Sequence, residues 1–325
     1  MAMKKPHIAL LLLLCASAAG AFPETWAYLM KGEEKYFPTA SPITDVACFS
    51  ASVDGDGHLA GGHLRPPVLP GANPGTRYHL AITIPWNSTL AHIYLDPALP
   101  FRDRIIADIA ERSKPFDGVQ IDFESISKKD GTAYLNFLIA VKKALPEGKI
   151  FSVAVLARWK THKQRNPTDA FDYPFIGTIA DRVVVMAYDE HYGGGGPGPI
   201  ASLAWCEKIY AHAVATIPSD KLVMGIPLYG RGWQSPSLAR AYKNREIVDE
   251  LKKKGIRPAN DLGNGGSYSF AETVTVSVHY ETLQSLEAKL NLYGQCPIRG
   301  VAYWRIGQEP AGFWRGKPVQ TIWSN

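Results

Sequence analysis

The chain has few cysteines and no long apolar segment, and these two shortages exclude several classes of protein. It holds 4 cysteines in 325 residues, and their wide spacing fits neither a metal motif nor a disulfide framework. No apolar run approaches the roughly 18 residues that a membrane-spanning helix needs. No glycine-rich phosphate loop follows the first apolar run, as it would in a dinucleotide-binding fold. We therefore expect no membrane span, no metal and no cofactor.

The excess of positive over negative charge is also small. The formal net charge is +5 and the isoelectric point is about 8.9, and no basic block with interleaved aromatic residues occurs. A nucleic-acid partner therefore has little support. The mild excess is compatible with weak attraction to an anionic polymer such as a cell-wall glycan. The hydrophobic share of 46% and the charged share of 20% are those of an ordinary globular protein.

The N-terminal segment has the pattern of an export signal. Two lysines precede a short apolar run at residues 8–14, and a small-x-small cleavage site follows at residues 19–21. We expect residues 1–21 to be removed as a signal peptide. The mature chain, residues 22–325, is then predicted to form one exported domain, periplasmic or extracellular, and to work as a monomer.

The cysteines leave two alternatives open. Cys15 ends the apolar run of the signal, and its lipidation would anchor the protein, although Leu14 is larger than the small residue that usually precedes a lipidated cysteine. The other three, Cys48, Cys206 and Cys296, each lie in or beside an apolar run. We expect them to be buried free thiols, with one disulfide as the alternative.

Eight short apolar runs, several of them followed by amphipathic stretches, set the expected fold. They are rich in Val, Ile, Leu and Ala, as strands covered on both faces are. This order predicts an α/β protein with a closed (β/α)8 TIM barrel, and an open doubly wound sheet is the alternative. The eight runs are residues 26–30, 43–50, 78–85, 116–124, 150–158, 181–190, 221–230 and 298–307.

Two parts of the chain depart from a regular barrel. Residues 31–42 and 51–76 are rich in Pro and Gly and have no helical period, so the first two crossovers are predicted to be irregular loops. Residues 231–280 form a long mixed segment before the eighth strand, and the run TVTVSVHY at its end predicts an extra strand. We interpret this segment as a small insertion and not as a separate domain.

The run FDGVQIDFE at residues 116–124 carries acids where a buried strand should be apolar. Strand side chains alternate, so Gln120, Asp122 and Glu124 share one face, while Ile121 and Phe123 share the other. If the apolar pair packs under helices, the polar three point into the barrel. Two buried carboxyls close together favour a protonated form near neutral pH, which is the state that a general acid needs.

Other polar and aromatic residues cluster at the C-terminal ends of the predicted strands, where barrel active sites form. A carboxylate pair surrounded by aromatic and polar side chains suits a sugar, because aromatic faces stack on sugar rings and polar groups hold hydroxyls and amides. These residues are Met186, Tyr188 and Asp189 on the sixth strand, Tyr229 and Arg231 on the seventh, and Trp304 on the eighth.

Four motifs resemble those of glycoside hydrolase family 18, the chitinase-like enzymes. FDGVQIDFE resembles the signature strand DGxDxDxE, VVVMAYDEHY resembles the MxYD motif, MGIPLYGRGW resembles GxPxYGR, and GVAYWRIG resembles the tryptophan segment of the eighth strand. They occur in the order that the family has. The run from residue 188 to 209 is most similar to the bacterial branch of spore-germination and peptidoglycan-active N-acetylglucosaminidases.

The resemblance implies a role for each matched residue. Glu124 would be the general acid and base, while Asp122 and Tyr188 would hold the N-acetyl group of the substrate. The sugar site would be completed by Gln120, Met186, Asp189, Tyr229, Arg231 and Trp304. The implied reaction is substrate-assisted and retaining, because the acetamido oxygen replaces the second carboxylate that most glycosidases use. The implied partner is a β-linked glycan that contains N-acetylglucosamine, either peptidoglycan or chitin-like.

One position departs from the family pattern. The middle acid of the signature is Gln120 here, which can hydrogen-bond Asp122 but cannot ionise. We expect this change to move the pH profile without removing activity. The alternative function is a non-catalytic carbohydrate-binding lectin, but such relatives usually lose the acid at the position of Glu124, which this chain keeps.

Overall fold

The structure is a computed structural model that describes residues 22–159, 170–235, 243–257, 268, 270–271 and 273–316. The predicted signal peptide, and with it the Cys15 alternative, lies outside the described residues. In the described part, no helix is both long and apolar enough to cross a membrane.

Eleven strands and seven α-helices are found in these residues. The strands are β1 (Glu24–Met30), β2 (Asp45–Val53), β3 (Leu59–Ala60), β4 (Arg77–Thr83), β5 (Gly118–Asp122), β6 (Ile150–Leu156), β7 (Arg182–Met186), β8 (Leu222–Pro227), β9 (Gly230–Ser235), β10 (Thr275–Tyr280) and β11 (Gly300–Trp304). The helices are α1 (Ser88–Leu95), α2 (Phe101–Arg112), α3 (Gly131–Ala144), α4 (Tyr173–Ile179), α5 (Leu203–Thr216), α6 (Asn244–Lys254) and α7 (Leu283–Tyr293).

Eight of the strands form a closed parallel barrel. Their order is β1-β11-β8-β7-β6-β5-β4-β2, and the parallel pairing of β1 with β2 closes the ring. Each of the eight predicted runs overlaps one of these strands. The TIM barrel is therefore confirmed, and the alternative of an open sheet is wrong because no barrel strand is left at an edge.

The irregular regions lie where the sequence predicts them. The crossover from β1 to β2 contains a single 3-10 turn at Glu34–Tyr36, and the crossover from β2 to β4 contains β3, which pairs back on β2. The predicted extra strand is β10, which forms an antiparallel two-stranded sheet with β9 in the insertion. The short helix α1 was not predicted, and the Asn87 side chain caps it by accepting hydrogen bonds from the amides of Thr89 and Leu90.

The alternation on β5 divides its side chains between two cores. Ile121 and Phe123 lie in the layer between strands and helices, where the Phe123 ring stacks on Phe137 of α3 with centroids 5.4 Å apart. Gln120 and Asp122 are buried on the inner side of the barrel. The predicted inward placement is confirmed for Gln120 and Asp122, because Ile121 and Phe123 pack on the other face of the strand.

The N-terminal end of the barrel is closed by a network of charges. Glu24 accepts hydrogen bonds from Arg77, Arg182 and Arg299 at 2.7–2.8 Å, and Asp45 accepts from Arg77 at 2.8 Å. Burial by itself raises the pKa of Glu24, but the hydrogen bonds from Arg182 and Arg299 overcome it and hold that pKa well below its ordinary value. This network ties together strands that are far apart in the sequence.

The three cysteines among the described residues are free thiols. Cys48 and Cys206 are buried and Cys296 is half-buried, and burial raises the pKa of the Cys206 thiol to about 11. The expected free thiols are therefore present, and the alternative of a disulfide is wrong.

Candidate active site

The acid pair lies where β5 leaves the barrel. The predicted strand reaches Glu124, but β5 ends at Asp122, so the two carboxyls differ in setting. Asp122 is the last strand residue and is buried inside the barrel. Glu124 follows on the loop, is half-buried, and lines a pocket of about 430 Å³. One carboxyl is thus enclosed and the other faces a space that a ligand can enter.

Both carboxyls have raised pKa values. Burial raises the pKa of Asp122 well above its ordinary value, and the nearby charge of Glu124 raises it further. Burial likewise raises the pKa of Glu124 to about 7, with a smaller contribution from Asp189. A carboxyl with such a pKa is partly protonated at neutral pH, so Glu124 can donate a proton and later accept one.

The pocket combines carboxylates with an aromatic wall. Four residues predicted from the sequence line it, namely Glu124, Met186, Tyr188 and Asp189. The sequence prediction missed the rest of its lining, which consists of Trp86, Leu156, Ala157, Trp159, Glu190, Tyr192 and Trp205.

A positional signal was available for two of the missed tryptophans. Trp86 and Trp159 each follow the last residue of a barrel strand by three positions, at the end of the barrel that holds the acids. The side chain of Trp86 is 75% exposed, which is unusual for a large apolar ring. The Trp159 ring meets the Trp205 ring edge to face with centroids 6.4 Å apart. These rings form a wall on which a sugar can stack.

Asp189 is held in place by the strand that leads into the insertion. Its φ angle is +60°, a left-handed backbone conformation that non-glycine residues rarely adopt. The Tyr229 hydroxyl donates to Asp189 Oδ1, and Arg231 Nη2 donates to the same atom at 2.7 Å. The structure therefore brings Tyr229 and Arg231 to the site through Asp189, and neither of them lines the pocket directly.

Trp304 lies at the end of β11 among aromatic rings. Its ring is stacked near Tyr188 with centroids 6.4 Å apart, and it contacts Tyr28 at 5.0 Å and Phe49 at 4.7 Å. Tyr28 and Phe49 were not predicted as site residues, although both lie on barrel strands in the predicted runs. The ring of Trp304 is partly exposed, so its free face can contact a ligand.

Gln120 lies inside the barrel, two residues before Asp122. It is fully buried, and its two amide atoms have no hydrogen-bond partner among the described residues. The Tyr28 hydroxyl lies close to this amide without a hydrogen bond of good geometry, and burial raises the pKa of Tyr28 well above its ordinary value. The hydrogen bond that the Gln120 amide is able to donate to Asp122 is not formed in this structure.

No group of three or more His, Cys, Asp or Glu side chains is arranged to hold a metal ion in the part of the chain that the structure describes.

A barrel with a buried acid pair at the C-terminal end of one strand, below an aromatic-lined pocket, defines a class of carbohydrate-active proteins. The family model of the glycosyl hydrolases family 18 matches residues 100–309. The chain belongs to this family of glycosidases.

Two of the curated relatives are proteins of Bacillus species. An uncharacterized glycosylase of Bacillus subtilis, YvbX, is 34% identical over 223 residues, which are 66% of this chain and 64% of that protein. A cortical fragment-lytic enzyme of Bacillus anthracis is 28% identical over 224 residues, 66% of this chain and 52% of that enzyme. The chain thus spans between about half and two thirds of the length of these relatives.

Solved structures give the same picture of the fold. The spore cortex-lytic enzyme SleL of Bacillus cereus superposes with a TM-score of 0.67 at 25% identity, over 92% of this chain and 74% of that one. A chitinase of Chromobacterium violaceum superposes with a TM-score of 0.69 at 22% identity, over 93% of this chain and 99% of that one. The second likeness concerns the fold alone.

Proposed function

We propose that the chain is an exported glycosidase that hydrolyses β-linked glycans containing N-acetylglucosamine, with retention of configuration. The observation that carries this proposal is the acid pair itself. Glu124 faces the pocket with its pKa raised to about 7, while Asp122 is buried directly behind it. A lectin would need the aromatic wall but not a carboxyl whose pKa is set for proton transfer.

In the first step Glu124 acts as the acid. Its carboxyl proton passes to the glycosidic oxygen as the bond from that oxygen to the anomeric carbon breaks. The acetamido oxygen of the same sugar attacks the anomeric carbon and forms a cyclic oxazolinium ion. Asp122 and Tyr188 hold the acetamido group in position, and the carboxylate form of Asp122 stabilises the positive charge on the nitrogen.

In the second step Glu124 acts as the base. Its carboxylate takes a proton from water, and the oxygen of that water attacks the anomeric carbon while the bond to the acetamido oxygen breaks. Two displacements at the same carbon restore the original configuration. Glu124 ends the cycle protonated, so it needs a pKa near the working pH in both steps.

The aromatic lining supports a sugar as the ligand on both sides of the scissile bond. Trp304, whose ring lies beside Tyr188, forms the base on which the N-acetylated sugar stacks, and Trp86 and Trp159 form the wall for the leaving group. Arg231 and Tyr229 keep Asp189 oriented toward this space. The names of the cortex-lytic relatives favour a cell-wall glycan over chitin as the natural polymer.

Parallel digestion tests this proposal. Purified peptidoglycan and soluble chitin oligomers are incubated with the protein, and the products are identified by mass spectrometry, with Glu124→Gln as the inactive control. We expect products that end in reducing N-acetylglucosamine. If the wild-type chain releases nothing from either substrate, the enzymatic function is wrong, and retained binding would favour the lectin alternative.

Export is the second part of the proposal and has its own test. The order of two lysines, a short apolar run and a small-x-small site supports cleavage before Phe22. N-terminal sequencing of material from the native source should begin at or near Phe22. A chain that begins at an acylated Cys15 would support the lipidated alternative, and an intact Met1 would contradict both.

A further inference from the structure

A second pocket lies beside the loop that follows β7, and neither Asp122 nor Glu124 lines it. It has a volume of about 260 Å³, compared with about 430 Å³ for the active-site pocket. It is formed where the residues before α5, the end of β10 and the first half of α7 meet. Its lining includes Ile200, Ser202, Tyr280, Glu281, Ser285 and Lys289.

The polar floor of this pocket is a buried ion pair. Lys289 Nζ donates to Glu281 Oε2 at 2.8 Å, and the two side chains are only 3% and 5% exposed. Ser285 Oγ donates to the same carboxylate oxygen at 2.6 Å. Because the two charges cancel, the floor offers donors and acceptors without a net charge. Such a floor suits a neutral ligand that carries hydroxyl or amide groups.

The rim of the pocket is aromatic and open. Tyr280 is 69% exposed, and Val278, two residues before it on β10, is 60% exposed. An exposed tyrosine ring beside a neutral polar floor is the combination that binds a sugar ring, by stacking on one face and hydrogen bonding at the edge. Neither Tyr280 nor Val278 lines the active-site pocket.

The loop between the two pockets connects them mechanically. Glu190, which lines the active-site pocket, accepts a hydrogen bond from the Ser202 amide at 2.7 Å. The amide of Glu190 donates to the carbonyl of Ile200 at 2.9 Å. Ser202 and Ile200 both line the second pocket. A ligand there would therefore sit one loop away from the catalytic residues.

We propose that this pocket is a secondary binding site for one N-acetylhexosamine unit of an insoluble glycan, with Tyr280 as its stacking platform. The proposal rests on the proposed function for the identity of the glycan. A unit of the polymer held here keeps neighbouring strands close to the active site and raises their effective concentration. Soluble oligomers that fill only the active-site pocket gain nothing from it.

The test compares Tyr280→Ala with Val278→Ala, a control at an exposed position of the same strand. Retention on insoluble chitin and hydrolysis of a soluble N-acetylglucosamine oligomer are measured for both variants and the wild type. We expect Tyr280→Ala to bind insoluble chitin about two- to tenfold more weakly, the loss that one aromatic stacking contact carries. Val278→Ala should bind like the wild type, and all three should hydrolyse the soluble oligomer equally.

Three outcomes would overturn the secondary site. Tyr280→Ala could be retained like the wild type, both variants could lose retention equally, or Tyr280→Ala could lose soluble hydrolysis in parallel with retention. The last result would mean that Tyr280 acts through the active site. Failure of the wild-type protein to hydrolyse both peptidoglycan and the soluble oligomer would reject the proposed function instead, and the retention of the variants would still decide the role of Tyr280.

Discussion

The two ends of the barrel both bury carboxyls, but they surround them differently. At the N-terminal end, Glu24 is contacted by three arginines, and its pKa is held low. At the C-terminal end, no ion pair within the described residues includes Asp122 or Glu124, and both pKa values are raised. Similar burial thus produces a charged, paired acid at one end and a proton-holding acid at the other.

The difference shows which end serves stability and which serves chemistry. A buried carboxylate paired with arginine stays ionised, so it can hold strands together but cannot exchange a proton near neutral pH. A buried carboxyl without a cation costs stability at neutral pH and gains the ability to transfer a proton. Arg231 at the C-terminal end donates its hydrogen bond to Asp189 and not to Glu124.

Replacing Glu124, at the C-terminal end of the barrel, should have the largest effect on activity. Glu124→Gln keeps the shape of the side chain but has no proton to give, so hydrolysis should fall about a hundred- to ten-thousand-fold. Initial rates on a soluble oligomer measure this loss.

The same variant should not lose stability. Because the folded pKa of Glu124 is about 7 and exceeds its unfolded value, this group destabilises the fold increasingly as pH rises through that interval. Thermal unfolding at pH 7.5 should give a melting temperature equal to or above that of the wild type. A marked drop would mean that Glu124 has a structural role like that of Glu24.

Replacing Glu24, at the N-terminal end of the barrel, should lower stability and leave activity unchanged. Glu24→Gln leaves three arginines without their shared partner, and we expect a loss of about 3–5 kcal/mol in the free energy of unfolding. Turnover per folded molecule should be unchanged. Urea unfolding measures the loss, and Glu111→Gln, at an exposed helical ion pair, is a control expected to change stability by less than about 1 kcal/mol.

The pH dependence of the stability of Glu24→Gln tests whether Glu24 is ionised in the folded protein. The low folded pKa of Glu24 contributes stability above its unfolded pKa, and this contribution is lost as pH falls toward its folded value. The difference between wild type and Glu24→Gln should therefore shrink in acid. A difference that grows as pH falls would contradict the assignment of Glu24 as an ionised partner.

A smaller effect is expected at Asp189, whose charge helps raise the pKa of Glu124. Asp189→Asn removes that charge, so the pKa of Glu124 should fall and the alkaline limb of the pH–rate profile should move to lower pH. Rates across pH 5 to 9 measure the shift. The control is Asp103→Asn, a change at an exposed acid on α2 that should leave the limb in place. An alkaline limb that does not move would show that Asp189 has no influence on Glu124.

The smallest effect concerns Gln120. Gln120→Asp adds an ionisable group beside Asp122, and coupled carboxyls titrate as a unit with separated apparent pKa values. The acid limb of the pH–rate profile should change, while the preference among substrates stays the same. Superimposable profiles for the two forms would mean that residue 120 does not couple to the acid pair.

The acid pair at the C-terminal end of the barrel was more predictable from the sequence than the arginine network around Glu24. The alternation of Gln120, Asp122 and Glu124 against Ile121 and Phe123 is a local pattern, and strand geometry turns it directly into an inward-facing Asp122 with Glu124 just beyond the strand end. The eight strands follow from apolar runs for the same reason. A pattern of this kind lies within a few consecutive residues of the chain.

Contacts between distant residues could not be predicted in this way. Glu24 meets Arg182 and Arg299, which are 158 and 275 positions away along the chain, and no local pattern pairs them. The contact of Arg231 with Asp189 depends on the path of the insertion, and the wall formed by Trp159 and Trp205 depends on how α5 packs. These features arise from the closed barrel as a whole.

The most direct measurement is the configuration of the first product. Proton NMR spectra are recorded during the first minutes of hydrolysis of an N-acetylglucosamine oligomer, before the released anomers equilibrate. The expected result is the β-anomer in excess with the wild type and no product with Glu124→Gln. An excess of the α-anomer, or rapid release of product by Glu124→Gln, would contradict a retaining mechanism in which Glu124 is the acid.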